Sequence, residues 1–498
     1  MTTQATRPPF QLLLWAVALG SMASAGDQPQ WGERLTRNMV SDEKGLPESF
    51  DPKSGQNIKW SVPLGSVTHA TPVVAAGKVL IGTNNARPRD PRQLGDRGVL
   101  LCLDEKDGSL VWQLVVPKLG GDFTDNPNEG FCSPPTVEGD RVYAVTNRGE
   151  AVCLDLHGMA NGNDGPYRDE GRHMASKGSV AIEPRKTDAD ILWLFDILAG
   201  TGVHQHDSAY ASPLIYGQFL YVNTSSGLND GHTAMVAPEA PSLIVLDKAT
   251  GRLVAREHER IGVRTFHCTW SSPALAEVNG APLIIYCGGD GVVHAFEPLR
   301  DAPPDGQVAT LKQVWSFEID PAAPKENAQT YLRNRKEGPS NVYGMPVVHG
   351  GRVFVAGGGD VFWGKPQSWL KCIDAAKGTE VWSYPLKRHV LATPAVRDGL
   401  AYITDSSGLV HCVDAATGKA CWTQQAKGDF WASPLVADGK VYVATRRGEV
   451  LVFAAARELK VLSRVDFGEP ISATPVAANG TLYIATMSRL YAIRKVEP

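Results

Sequence analysis

Leu435-Val436-Ala437-Asp438-Gly439-Lys440-Val441-Tyr442-Val443 and, just before it, Asp414-Ala415-Ala416-Thr417-Gly418-Lys419-Ala420-Cys421-Trp422 are the stretches on which the fold turns. The first reads as two short strands joined at Asp438-Gly439, because glycine takes positive φ without steric cost and so suits a tight hairpin. In the second, the Asp414 side chain can bond nearby backbone amides, Gly418 supplies the turn, and Trp422 is large enough to fill space between neighbouring units.

Both stretches recur. A residue followed by proline opens the first at Thr71-Pro72, Ser133-Pro134, Ser212-Pro213, Ser272-Pro273, Met345-Pro346, Thr393-Pro394, Ser433-Pro434 and Thr474-Pro475, and all but Met345 are small. Proline at a strand start forfeits no ladder donor. Asp104, Asp247, Asp374 and Asp414 each stand four residues before Gly108, Gly251, Gly378 and Gly418, and four residues further on stand Trp112, Ala255, Trp382 and Trp422. Trp60, Trp193 and Trp315 look like further copies with a degraded turn. Unrelated hairpins would not hold Asp, Gly and Trp in one register, so the spacing predicts a radial repeat. The expected fold is all-β: an eight-bladed β-propeller of four-stranded antiparallel blades. The eighth unit stops after Leu490-Tyr491-Ala492-Ile493 without its Trp strand, and Asn57-Ile58-Lys59-Trp60-Ser61-Val62-Pro63-Leu64 supplies one from the other end of the chain. An N-terminal strand therefore completes the last blade and leaves no open edge.

The Asp-x-x-x-Gly-x-x-x-Trp repeat resembles the pyrroloquinoline-quinone (PQQ) type of propeller repeat, shared by quinoprotein alcohol dehydrogenases and by BamB-like outer-membrane assembly proteins. The resemblance covers residues 57–498 and implies the fold; it leaves the activity open, since one fold hosts many functions. Gln30-Trp31-Gly32 through Arg37-Asn38, then Gly45-Leu46-Pro47, is similar to the leader of large secreted bacterial families that carry this repeat.

The first residues carry one positive charge, Arg7, then the mainly apolar run Phe10 to Leu19, then Gly20-Ser21-Met22-Ala23-Ser24-Ala25. That order reads as a secretory signal cut after Ala25, with a buried N-terminal helix as the alternative. The run is short for a membrane span. No Cys follows it, so no lipoprotein anchor is expected, and the product is expected in the periplasm or secreted. The organisation read from the chain is thus a signal peptide over 1–25, a leader over 26–56 and the propeller over 57–498. Fifty Gly and 34 Pro in 498 residues suit many strands and turns, while a net charge of −4 offers no basic stripe for nucleic acid.

Cys102, Cys153, Cys372 and Cys412 share one repeat position, two residues before the terminal Asp, which marks them as packing residues. Cys132, Cys268, Cys287 and Cys421 lie elsewhere. Neither a Cys-x-x-Cys-His haem attachment nor an adjacent Cys-Cys pair occurs. Asn161-Gly162-Asn163-Asp164-Gly165 fails as an EF-hand loop, having Ala160 and Gly162 where oxygen side chains are required, and reads as a surface turn.

In a propeller the loops before the innermost strands converge at one mouth of the central channel. Those loops hold His69, Glu129, His204, His206, Asp207, His267, Asn341, His389 and Asp429, and Phe131, Tyr210, Trp270, Tyr343 and Trp431 stand three residues before their prolines. One reading is a polar and aromatic mouth that binds a ligand; the other is aromatic packing that closes the channel beneath solvated polar groups. If the mouth binds anything, the site centres on His206, Asp207, His267, Trp270 and His389. No shared metal is expected of His206 and His389, because units three and six stand apart in an eightfold ring.

Two functional readings follow. The first is an extracytoplasmic, non-catalytic and monomeric propeller that binds a protein, peptide or glycan through its loops, without cofactor or metal. The alternative is a PQQ- and calcium-dependent quinoprotein dehydrogenase acting on an alcohol or sugar. In it the quinone stacks on Trp270 or Trp431, calcium is held by Glu129 and Asn341, and Asp207 or Asp429 is the base. Insertions stretch the proline spacing to 60–79 residues in the first four units, against 40–48 later. The extra loops at 156–190, 226–241, 297–311 and 321–340 are expected to carry specificity.

Overall fold

The computed structural model describes residues 26–119, 125–332 and 334–495; the candidate signal at 1–25 lies outside them. Each proline of the repeat precedes a short inner strand, as at Val73–Ala75 and Leu435–Ala437, from which the blade continues in antiparallel order. Eight such blades form, the first being Val73–Ala75, Lys78–Asn84, Arg97–Asp104 and Leu110–Pro117. The last comprises Val476–Ala478, Thr481–Ala485 and Arg489–Ile493, completed by Ile58–Pro63 from the other end of the chain. The expected eight-bladed propeller and its closure are both present.

The repeat motif is a clamp between blades. Each Asp caps its own turn: Asp414 Oδ1 accepts from the Ala416 and Thr417 amides, and Asp374 Oδ1 from Ala376 and Lys377. The tryptophan reaches into the next blade, where its indole N–H donates to the carbonyl just past that blade's Asp. Trp60 bonds Glu105 O at 3.0 Å, Trp112 bonds Leu156 O at 2.9 Å, Trp193 bonds Lys248 O at 3.0 Å, Trp315 bonds Ala375 O at 3.0 Å and Trp382 bonds Ala415 O at 3.1 Å. Glycine is needed at the turn because a Cβ on Gly418 would lie 2.7 Å from the Trp382 ring, and one on Gly251 2.4 Å from Trp193. The four cysteines at the repeated position are buried and free, as packing residues should be.

The leader closes one end of the channel. It circles the axis and bonds every blade at the inner strand or the proline that opens it. Gln28 pairs with Val74, and the carbonyls of Pro29, Leu35, Thr36 and Met39 accept from the amides of Val137, Leu275, Val348 and Val436. Asn38 both donates to and accepts from the Val396 backbone, and Ser41 Oγ donates to Ala477 O. The third blade is met by Arg37, a fully buried guanidinium at left-handed φ 59°. Its N–H groups donate to Pro273 O, Trp31 O, Ser212 Oγ, Ser212 O and Pro213 O. All five acceptors are neutral, and burial lowers the Arg37 pKa to about 9. Gly32 is glycine because it has φ 77° and a Cβ there would stand 2.7 Å from Arg37 O.

Antiparallel blades leave two kinds of loop at the opposite, mouth end: those before the inner strands and those joining the second strand to the third. Of the insertions, 226–241 and 321–340 open at the mouth, 297–311 lies at the leader's end, and 156–190 runs along the flank, where Thr187 and Ala189 bond the Gln113 backbone. Two stability predictions follow from the leader and the closing strand. Arg37→Ala removes five hydrogen bonds and leaves the buried Pro273 and Ser212 carbonyls without these donors, and should lower the urea unfolding free energy by about 3 kcal/mol; an unchanged midpoint would refute the leader's structural role. Deleting 57–64 removes a strand and the Trp60 clamp together and should abolish cooperative folding, so a stable monomeric deletion protein would refute the closure.

Candidate functional site

At the mouth, seven of the eight residues three positions before the repeat prolines meet around the axis, whereas Phe131, expected among them, packs into the core of the first two blades. His69, Tyr210, Trp270, Tyr343, Leu391, Trp431 and Ser472, with Trp31 of the leader beneath, line a cavity of about 70 Å³. Trp270 lies between Tyr210 and Tyr343, at ring-centroid distances of 4.6 and 5.0 Å, and His69 stacks on Trp431 at 5.7 Å. The Arg446 guanidinium sits 4.3 Å over Trp431 and donates to Ser472 Oγ. The backbone carbonyl of Asp429 holds the Arg446 amide. Aromatic packing thus closes most of the channel.

Above this ring lies a polar layer. Glu129 accepts from the Tyr210 hydroxyl at 2.5 Å, and burial raises its pKa. Asp207 accepts from Asn126 at 2.8 Å, is also raised by burial, and takes left-handed φ 59°. Asn341 donates to Cys268 O at 3.2 Å while its buried Oδ1 has no hydrogen-bond partner. His389 Nε2 faces Gly364 O at 3.4 Å and takes no part in the His206 cluster.

His206 and His267 do come together, with Nε2 atoms 2.9 Å apart and both rings buried. His206 Nδ1 meets Leu228 O at 2.8 Å; His267 Nδ1 meets Asp360 Oδ2 and the Tyr343 hydroxyl, each at 3.1 Å. Tyr343 also donates to Asp360 Oδ2, and the Phe362 and Trp363 amides donate to Asp360 Oδ1. Despite its burial, the Asp360 pKa is lowered, chiefly by His267 and Tyr343. A third imidazole, His232, joins them at 4.7 Å from the His206 ring, and Trp363 lies over both His232 and His267 at 4.5 and 4.6 Å.

Sequence reasoning missed His232, Asp360, Phe362 and Trp363. All four lie on loops joining a second strand to a third, and the up-and-down order of the strands puts those loops at the mouth beside the pre-proline loops. The flank insertion read as a surface turn places Asp164 beside Asp155 and Asp190.

A tricyclic quinone does not fit the side chains as placed. Trp270 and Trp431 are both engaged by neighbouring groups, and the 70 Å³ between them falls short of the roughly 300 Å³ at which small-molecule sites begin.

Comparison with known proteins gives a consistent family. Residues 42–228 and 366–494 match the family described as outer membrane protein assembly factor BamB. The BamB of Yersinia pestis is 26% identical over 218 residues, 39% of this chain and 50% of that protein, so the match spans half the length of this relative. Among solved structures, BamB from Moraxella catarrhalis aligns with TM-score 0.53 and 14% identity, covering 87% of this chain and 98% of that one. Quinohemoprotein alcohol dehydrogenase from Comamonas testosteroni aligns with TM-score 0.60 and 13% identity, covering 96% and 82%. At such identities both likenesses concern the fold.

Burial lowers the His69 pKa to about 4, with Arg446 adding to the effect, and lowers that of His206 to about 3, with His267 and His232 adding. An unfolded imidazole titrates near 6.5, so between about pH 6.5 and 4 the unfolded chain binds protons that the folded one refuses. Stability should therefore fall on acidification through this window, by up to about 1.4 kcal/mol per pH unit and ring. Chemical denaturation of metal-free protein from pH 7 to 4 checks this, with His69→Gln expected to flatten the slope; a slope unaffected by that change would contradict the assignment.

Proposed function

This chain belongs to the family of the outer membrane protein assembly factor BamB, and from that premise we propose that it works outside the cytoplasm as a non-catalytic binding module. In this reading the mouth face holds a partner, a protein, peptide or glycan, while the propeller serves as a rigid frame. The observation that carries the proposal is the difference between the ring's two ends. The leader covers the inner strands at one end, whereas at the other the loops present a layer of carboxylates, imidazoles and partly exposed aromatics, including Phe362 and Trp363. Val236, 53% exposed, stands on the 226–241 insertion at the same end. Rigid frames with variable loops are the usual arrangement for recognition. Among the described residues no helix is long and apolar enough to cross a membrane.

Photo-crosslinking amino acids at 236 and 363, compared with 305 and 416 at the leader's end, test the face used in cells of the native host. Adducts from the mouth positions are expected, and adducts confined to the leader's end would overturn the proposal. The catalytic alternative is tested separately by incubating the protein with PQQ and calcium and offering alcohols and sugars with an electron-accepting dye. Saturable dye reduction would sink the non-catalytic reading.

A further inference from the structure

The mouth contains two buried imidazole nitrogens that face each other at 2.9 Å, with no hydrogen between them when both rings are neutral. A carbonyl oxygen only accepts, so the His206 Nδ1 opposite Leu228 O carries that ring's proton. The Asp360 carboxylate likewise only accepts, so the His267 Nδ1 beside it carries the proton of the neutral ring. In the neutral state of both rings the two Nε2 atoms are lone pairs, 2.9 Å apart. Two lone pairs at that separation repel, and burial keeps water from relieving them. A cation between them reverses the sign of the interaction. Fixing Nδ1–H on a backbone carbonyl or a carboxylate is also the usual way in which a protein presents Nε2 to a metal.

We propose that His206, His232 and His267 bind one divalent transition-metal ion, zinc by the chemistry of the donors, at the mouth of the channel. One ligand atom from each ring lies within 4.8 Å of the others. Two nitrogens on one tetrahedral zinc stand about 3.3 Å apart at ordinary bond lengths, so the observed 2.9 Å requires a shift of only a few tenths of an ångström. Neutral imidazoles suit zinc and its transition-series neighbours, whereas calcium and magnesium require oxygen. The His232 backbone N–H donates to Asn229 O at 2.9 Å, at left-handed φ 54°, which fixes the backbone from which the ring reaches the pair. Gly227 clears the space for His206, since a Cβ there would lie 2.5 Å from the His206 Cβ. Phe362 and Trp363 pack around His267 at 5.3 and 4.6 Å, forming an apolar shell that restricts water. Three protein nitrogens leave a fourth position open. The Asp207 carboxylate, 3.6 Å from His206 Nε2, stands beside it. This site is independent of the binding role proposed above.

The test uses the chain without a histidine tag, stripped by chelator and then titrated with Zn²⁺ or Co²⁺. Expected are one ion per chain by elemental analysis, a saturable visible ligand-field spectrum with Co²⁺, and a melting temperature that rises with added Zn²⁺. His232→Ala, at a partly exposed position where folding should survive, is expected to weaken binding about 100-fold or more. His389→Ala, outside the cluster, is expected to leave it unchanged. Absence of saturable uptake by the wild-type chain would overturn the site and leave a proton shared between His206 and His267 as the occupant. Uptake undiminished in a folded His232→Ala protein would equally overturn it.

Discussion

The bond from an indole N–H on one blade to a carbonyl just past the Asp of the next is the interaction on which the molecule depends. A single blade has two faces to bury and cannot bury either alone. Packing against its neighbours solves that problem only if the angle between blades is fixed. The tryptophan fixes it by filling the gap with its ring and anchoring the ring's polar edge, while a glycine in the receiving turn lets the ring approach. Because Trp60 comes from the far end of the chain and bonds Glu105 in the first blade, the same contact that spaces the blades also closes the circle. The third blade has Ala255 in place of the tryptophan, and there the parallel strand Ala309–Thr310 is added beside Leu253–Arg256.

The leader solves the second problem of a ring, which is the row of inner strands lining an empty axis. Inner strands only three residues long, such as Val73–Ala75 and Val347–His349, present amide and carbonyl groups to the channel. Buried backbone groups of that kind must be paired. One irregular segment that circles the axis bonds at least one such group in every blade, at the cost of left-handed φ at Leu35 and Arg37. Arg37 tolerates burial without a counter-ion because its rigid fork distributes the charge over five oxygens; a lysine, with three donors, could not satisfy the same set.

The periodic parts of this structure were legible in the sequence because periodicity repeats the same physical requirement many times. Proline at an inner-strand start, Asp in the turn, Gly beneath the ring and Cys in the core each recur, and their recurrence identifies their role. The leader was visible as Gln30-Trp31-Gly32 through Arg37-Asn38, but its circling path was not, since every partner is a backbone atom whose position depends on the closed ring. The site was legible in part. His206, His267, Asp207 and Trp270 were placed at the mouth by their distance from a proline. His389 was grouped with them by the same rule, although its ring turns to Gly364. His232 and Asp360 escaped because they are non-periodic residues on loops whose direction follows only from the strand order.

Fold and site are separable in this molecule for a physical reason. The clamps lie at the Asp turns and the leader's bonds lie mainly along the inner strands, with Trp31 flooring the mouth cavity and Arg37 reaching Ser212, so most of what holds the ring does not involve the loops at the mouth. Those loops can accordingly hold groups that a core would not, such as the indole N–H of Trp270, buried without a hydrogen-bond partner, or two buried imidazoles whose Nε2 atoms face each other at 2.9 Å. Such arrangements are destabilising when judged by folding alone, and a ring clamped by tryptophan at six of its eight interfaces can bear them. The same separation explains how one propeller aligns with both an assembly factor and an alcohol dehydrogenase: what the ring conserves is its spacing, and the chemistry is written in loops that its spacing does not constrain.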